Sequence, residues 1–162
     1  MNATIFYILA AATILSTFMA ITRREMVHAV VYLVLSFFCL ALIFFMMGAP
    51  LVAALEVLVY AGAIMVLFLF IVMMLEMGTP KRRLTPYWKV WGPAAALAAV
   101  ILACTTLLLT STPEAVPVAG AGYITPRAFG KALYNTQALA VEAVSLLLLF
   151  ALVGALYLGR HD

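Results

Sequence analysis

Five runs of about twenty apolar residues each fill most of this 162-residue chain, and they constrain its fold more than anything else in it. By hydropathy they cover about 3–21, 26–47, 52–75, 90–109 and 137–158. Each exceeds the length of an ordinary strand, and none alternates polar with apolar residues as outer-membrane barrel strands do. In lipid a backbone must satisfy its own N–H and C=O groups, so such runs form helices. The expected fold class is therefore all-α: a polytopic membrane protein with five transmembrane helices, built as a single transmembrane domain over residues 1–162. Composition agrees, with 68% hydrophobic and 9% charged residues and a mean hydropathy of +1.22. Water-soluble domains carry roughly a quarter charged residues, so that class is excluded.

The cationic residues set the expected orientation. Arg23, Arg24, Lys81, Arg82, Arg83, Lys89 and Arg160 fall on one side of the helices, against Arg127 and Lys131 on the other. By the positive-inside rule the N-terminus faces outward and the C-terminus faces the cytoplasm. The net charge of +3 reflects this bias and not nucleic-acid binding. Met1 to Thr4 lacks a basic n-region, so the first helix is expected to stay in place.

Between the helices, Gly48-Ala49-Pro50 reads as a tight outer turn. Lys81-Arg82-Arg83 reads as a topology anchor at anionic headgroups, with a docking site for a partner subunit as the alternative. The outer segment 111–136 carries Pro113, Pro117, Pro126, Gly120 and Gly122 and reads as irregular coil, with a short amphipathic piece from Arg127 to Tyr134. Cys39 and Cys104 fall inside spans and read as small packing residues. His28, three residues after Glu25, is placed for an interfacial ion pair, and one imidazole makes no haem-ligand pattern. Ala95, Ala99 and Ala103 form a small-residue ridge on which another helix can pack closely. No internal repeat is visible, which argues against inverted-repeat transporters.

The third run, EVLVYAGAIMVLFLFIVMMLE from Glu56 to Glu76, differs from the others. It holds a carboxylate inside its apolar length, which costs a few kcal/mol on insertion scales. With α-helical winding, Tyr60 lies one turn below Glu56 on the same face. The fifth run places Glu142 at a depth similar to that of Glu56, about 6 Å in at 1.5 Å per residue, so the two acids are able to share a pocket with Tyr60 and Ser145. A protonatable pair there suits a proton path or an electrostatic switch. The structural alternative is that each acid reaches interfacial water or caps a neighbouring helix. Glu76 falls at the cytoplasmic surface as a solvated end charge. Ala61-Gly62-Ala63 permits close packing or a local π-bulge, and from the residues alone packing is the simpler use.

That stretch, together with HAVVYLVLSFFCLALIFFMMGAPLVAALE and TPRAFGKALYNTQALAVEAVSLLLLFALVGALYLGR, resembles the subunit J family of bacterial proton-translocating NADH:quinone oxidoreductase, respiratory complex I. The likeness covers most of the chain. It implies a core membrane-arm subunit of the bacterial inner membrane, beside subunits like A, H and K and the antiporter-like subunits, among membrane lipids. It also implies no cofactor in this chain, with FMN, iron–sulfur clusters and quinone held by partner subunits, and so no complete active site here. The family's third helix is known for a π-bulge whose interconversion with α-helix accompanies opening of a hydrated path. The matching positions are Tyr60, Gly62, Met65 and Phe68, with Glu56, Tyr60 and Glu142 as proton-path candidates. Other readings are a subunit of a related cation/proton antiporter or membrane-bound hydrogenase, or a structural membrane anchor.

Overall fold

A computed structural model describes residues 2–23, 25–76, 87–111 and 124–160, and every element among them is helical. In chain order these are α1 (Asn2–Thr22), α2 (Met26–Met46), α3 (Pro50–Leu55), a π-helical segment (Glu56–Ile64), α4 (Met65–Glu76), α5 (Tyr87–Ser111), α6 (Pro126–Thr136) and α7 (Ala138–Gly159). The third span is α3, the π segment and α4 in unbroken succession. Five stretches are long and apolar enough to cross a membrane: Ala3–Thr22, Met26–Met46, Pro50–Leu75, Trp91–Thr110 and Ala138–Gly159. They agree with the hydropathy reading to within two residues at each end. Lys81, Arg82 and Arg83 lie outside the described residues, as do Arg24 and the Glu76 and Lys89 side chains. The contacts divide the chain into two compact units, Met1–Tyr123 and Ile124–Asp162; α1 to α5 belong to the first, α6 and α7 to the second.

Within the first unit α2 is central. On α1 the buried residues Ile5, Leu9, Ala12 and Ser16 recur at three- and four-residue steps, and on α5 Ala94, Ile101, Cys104 and Leu108, with half-buried Leu97 between the first two, do the same, the stripe expected of an α-helix facing a core. Ile5, Leu9 and Ala12 with Ile101, Cys104 and Leu108 build one apolar cluster around Cys39 of α2, against which Leu35, Leu42 and Leu97 pack. Both cysteines are free and buried, as packing residues should be. Ala95, Ala99 and Ala103 stand exposed on the other side of α5, so the small-residue ridge is not what holds α5 to its own chain.

The hydroxyl groups in this core find partners. The Ser16 hydroxyl donates to the Tyr32 carbonyl across the α1–α2 contact, and Thr17 and Ser36 hydroxyls meet at 2.9 Å. Thr13 Oγ1 donates to the Leu9 carbonyl at 2.8 Å. Arg23 reaches the Tyr32 hydroxyl at 3.4 Å, its guanidinium carbon 5.3 Å from the ring centroid. At the start of α2, His28 Nδ1 stands 2.8 Å from Glu25 Oε2, the ion-pair contact expected from their spacing, and the ring meets Trp91 edge-on with centroids 5.2 Å apart.

The expected outer turn is a Schellman closure. Gly48 adopts φ +80°, its N–H donates to the Phe45 carbonyl at 3.1 Å, and the Ala49 N–H donates to the Phe44 carbonyl at 3.0 Å. A left-handed residue after a helix end satisfies the last carbonyls in this way, and glycine takes that conformation without Cβ strain. Pro50 then opens α3 at its first position, where a missing N–H costs nothing.

In the second unit, Thr125 caps α6, its Oγ1 accepting from the Ala128 N–H at 3.2 Å. Gln137, at φ −119° and ψ 27°, is the one residue between α6 and α7. No residue of α7 is buried within the unit.

Candidate functional site

The third span departs from regular winding over the nine residues EVLVYAGAI, Glu56–Ile64. π-Helix is rare and often marks functional sites. The Met65 N–H closes the segment, directed at the carbonyls of Tyr60 and Gly62, and the first of these is the five-residue bond that defines π winding. The local sequence favours it for two reasons. Val57, Val59 and Ile64 are β-branched and hold an α-helix less firmly than leucine does. A Cβ on Gly62 would stand 3.1 Å from the Val57 carbonyl oxygen, because the wide turn aims that oxygen at the Gly62 Cα. Glycine is the residue that leaves this approach open.

The winding decides which side chains face the core. Ala53, Glu56, Ala61 and Val72 are buried, with Met65 and Leu69 half-buried between the last two. Every step along this face is three or four residues except Glu56 to Ala61, which is five. The α-helical expectation that Tyr60 follows Glu56 on one face is therefore corrected. Across the widened winding Ala61, 6% exposed, takes the inward position. Tyr60 stands 48% exposed, with its ring tilted against Phe37 of α2 at a centroid distance of 5.5 Å.

Glu56 is 8% exposed, and no described residue donates a hydrogen bond to its carboxylate. It lies six residues past Pro50, about 9 Å along the helix axis, deeper than a start at residue 52 implied. Phe68 is 45% exposed and lines a cavity of about 280 Å³ between α1, α2 and α4, with Thr17, Val30, Leu33 and Val72 among its walls.

Glu142 is exposed on α7 in the second unit. Ser145, expected beside it, donates its hydroxyl to the Glu142 carbonyl at 2.7 Å, an internal helix bond that keeps the hydroxyl off the carboxylate. Among the described residues no group of three histidine, cysteine or acidic side chains could hold a metal ion.

Two features escaped sequence reasoning. One is Phe37 as the neighbour of Tyr60. The other is the seam of Ser16, Thr17, Tyr32 and Ser36, whose one sign, hydroxyl residues in two adjacent spans, is shared by residues such as Thr13 that bond a carbonyl of their own helix.

Residues 16–158 match the family model described as NADH-ubiquinone/plastoquinone oxidoreductase chain 6. The chain is 44% identical over 164 residues to NADH-quinone oxidoreductase subunit J of Pseudomonas aeruginosa, covering 97% of this chain and 96% of the relative. It is 38% identical over 161 residues to the Escherichia coli K12 subunit J, covering 97% and 86%. The Rhodobacter capsulatus subunit J is 36% identical over 164 residues, covering 96% and 81%.

Proposed function

This chain belongs to the NADH-quinone oxidoreductase subunit J family, and from that premise we propose that its third span works as a gate coupling quinone reduction to proton translocation. As a complex I subunit it has the other subunits of that complex as partners. Within the proposal it is a non-redox membrane-arm subunit of the bacterial inner membrane, N-terminus outward, beside A-, H- and K-like subunits. The FMN, iron–sulfur clusters and quinone belong to its partners.

The observation that carries this reading is the five-residue step from Glu56 to Ala61. Rewinding the π segment to α-helix returns one residue to the helical register. The part below the segment then turns by about 100° and shifts by about 1.5 Å relative to the part above. The inward row changes from Ala61, Met65 and Leu69 to Tyr60, Ile64 and Phe68. A methyl gives way to a phenol and a leucine to a phenylalanine, so the volume facing α2 rises just below the Glu56 carboxylate. The cavity beside Phe68 supplies room for that ring to move.

In the π state the small Ala61 leaves space directly below Glu56 for a thread of water, and in the α state the Tyr60 ring closes it. Proton transfer needs an unbroken hydrogen-bonded path, so this exchange switches conduction without redox chemistry in the chain. Glu56 and Tyr60 are the protonatable or polar elements on that path, and Glu142 of α7 is a separate proton-path candidate.

Gly62 is the position at which to test it. In an α-helix glycine is about 1 kcal/mol worse than alanine, whereas a Cβ crowds the Val57 carbonyl in the π state. Gly62→Ala therefore biases the equilibrium toward α, and Gly62→Val does so more strongly where the crowding of its two methyls in the π state outweighs the lower α propensity of a β-branched residue. In the assembled complex, protons pumped per quinone reduced should fall modestly for alanine and severalfold for valine while quinone reduction continues. Fully coupled turnover in the valine variant would overturn the gate.

A further inference from the structure

We infer that α6 is an interfacial helix that lies in the membrane surface and binds the headgroups of anionic phospholipids through Arg127 and Lys131. Around the helix, Arg127, Lys131 and Asn135 recur at four-residue spacing on one face, with Tyr134 at its border. Phe129 and Leu133, also four apart, occupy the other face with Ala132 and Thr136. The helix carries no acidic residue, and neither cation has an ion-pair partner among the described residues. Phe129 is 41% exposed and Tyr134 67%, while Leu133 is half-buried, so part of the apolar face and all of the basic face stay open.

The chain connection fixes the depth at which this helix sits. Gln137 alone separates α6 from the apolar helix Ala138–Gly159, and its non-helical backbone breaks the axis while the Gln137 N–H still bonds the Leu133 carbonyl at 3.0 Å. One residue spans less than 4 Å, so the last turn of α6 is held at the end of a membrane span. An amphipathic helix with basic residues on its polar face lies in the interfacial plane. There Phe129 and Leu133 reach the acyl boundary and the two cations meet lipid phosphates, with Tyr134 at headgroup level, where tyrosine is enriched. Charge complementarity selects anionic over zwitterionic lipid, because each basic side chain near a charged membrane surface adds roughly a fivefold preference.

The test uses the native complex in its own membrane, with a benzophenone amino acid in place of Phe129. Irradiation should attach phospholipid to this chain. Mass spectrometry of the adduct should show phosphatidylglycerol or cardiolipin enriched severalfold over its share of the membrane. Arg127→Gln with Lys131→Gln should return the adduct lipids to that share while a native gel shows intact assembly. A protein adduct in place of lipid would mean that a neighbouring subunit covers this face, and would overturn the proposal. So would the absence of any adduct, or a lipid adduct whose composition ignores headgroup charge.

Discussion

The two sides of α2 pack by different rules. Toward α1 the chain builds a closed seam: a stripe at three- and four-residue steps, hydroxyls bonded across the helices, and Leu9, Tyr32, Cys39 and Ser16 fully buried; toward the start of α5 a cavity of about 480 Å³ opens beside Val31, Leu35 and Trp91. Toward the third span it meets a helix with a misfit step, a buried carboxylate without a bonding partner among the described residues, and a cavity beside Phe68. Interiors that satisfy every polar group and fill every gap hold one arrangement. Under the proposed gating, the helix with an extra residue in its turn and space beside it is the one that changes its winding. The first side is suited to be a stator and the second to move against it.

Leu9→Ala should have the largest effect on stability. Leu9 is 0% exposed, and truncating it opens a cavity in the closed side. In water such changes cost 2–5 kcal/mol, part of which is transfer from water. That part is smaller in lipid, where packing dominates, so about 2 kcal/mol is expected. Thermal disassembly of the complex should shift downward while protons pumped per quinone stay constant. Loss of coupling at unchanged stability would show that the closed side also moves.

Glu56→Gln tests the other side with the opposite sign. Removing the acid relieves about 1–2 kcal/mol of burial cost for a carboxylate in the outer part of a span, so the complex should become as stable or more stable. Pumping should fall, because glutamine cannot carry a proton along the path. A variant that pumps normally would return Glu56 to a purely structural role, and with it the anchor reading of the chain.

How much of this was legible in the sequence follows the same division. The five spans were visible because hydropathy over twenty residues is a local property. The Gly48 turn was visible because glycine before proline at a helix end has few other uses. The amphipathic piece from Arg127 to Tyr134 showed in its four-residue spacing. The winding of the third span was not legible from the residues themselves. Gly62 permits both close packing and a wide turn, and the choice depends on which backbone carbonyl lies behind its Cα, so the family resemblance supplied what local chemistry left open. The Thr17–Ser36 contact was hidden for another reason. Thr17 also bonds the Thr13 carbonyl of its own helix at 2.9 Å, and a hydroxyl that can satisfy itself locally gives no sign of a second partner.

That double bonding yields the smallest prediction. Thr17 has one hydroxyl proton, and it goes to the Thr13 carbonyl, so Ser36 must be the donor in the 2.9 Å contact with Thr17. Ser36→Ala removes that donor and leaves only a spare lone pair on Thr17, at a cost of about 0.5 kcal/mol, near the mean for interhelical hydrogen bonds in membranes. Thr17→Val keeps the shape but strands the Ser36 hydroxyl. In its own helix the carbonyl four residues back is that of Tyr32, which already accepts from Ser16 and takes the helical N–H of Ser36 as well. A buried hydroxyl without an acceptor costs about 1–2 kcal/mol, so the valine variant should be the less stable of the two. Adding Ser16→Ala frees a lone pair on the Tyr32 carbonyl, gives the Ser36 hydroxyl an acceptor and should shrink that difference. Equal losses from Thr17→Val and Ser36→Ala in both backgrounds would mean that the hydroxyls only touch, and that apolar packing alone closes this side of α2.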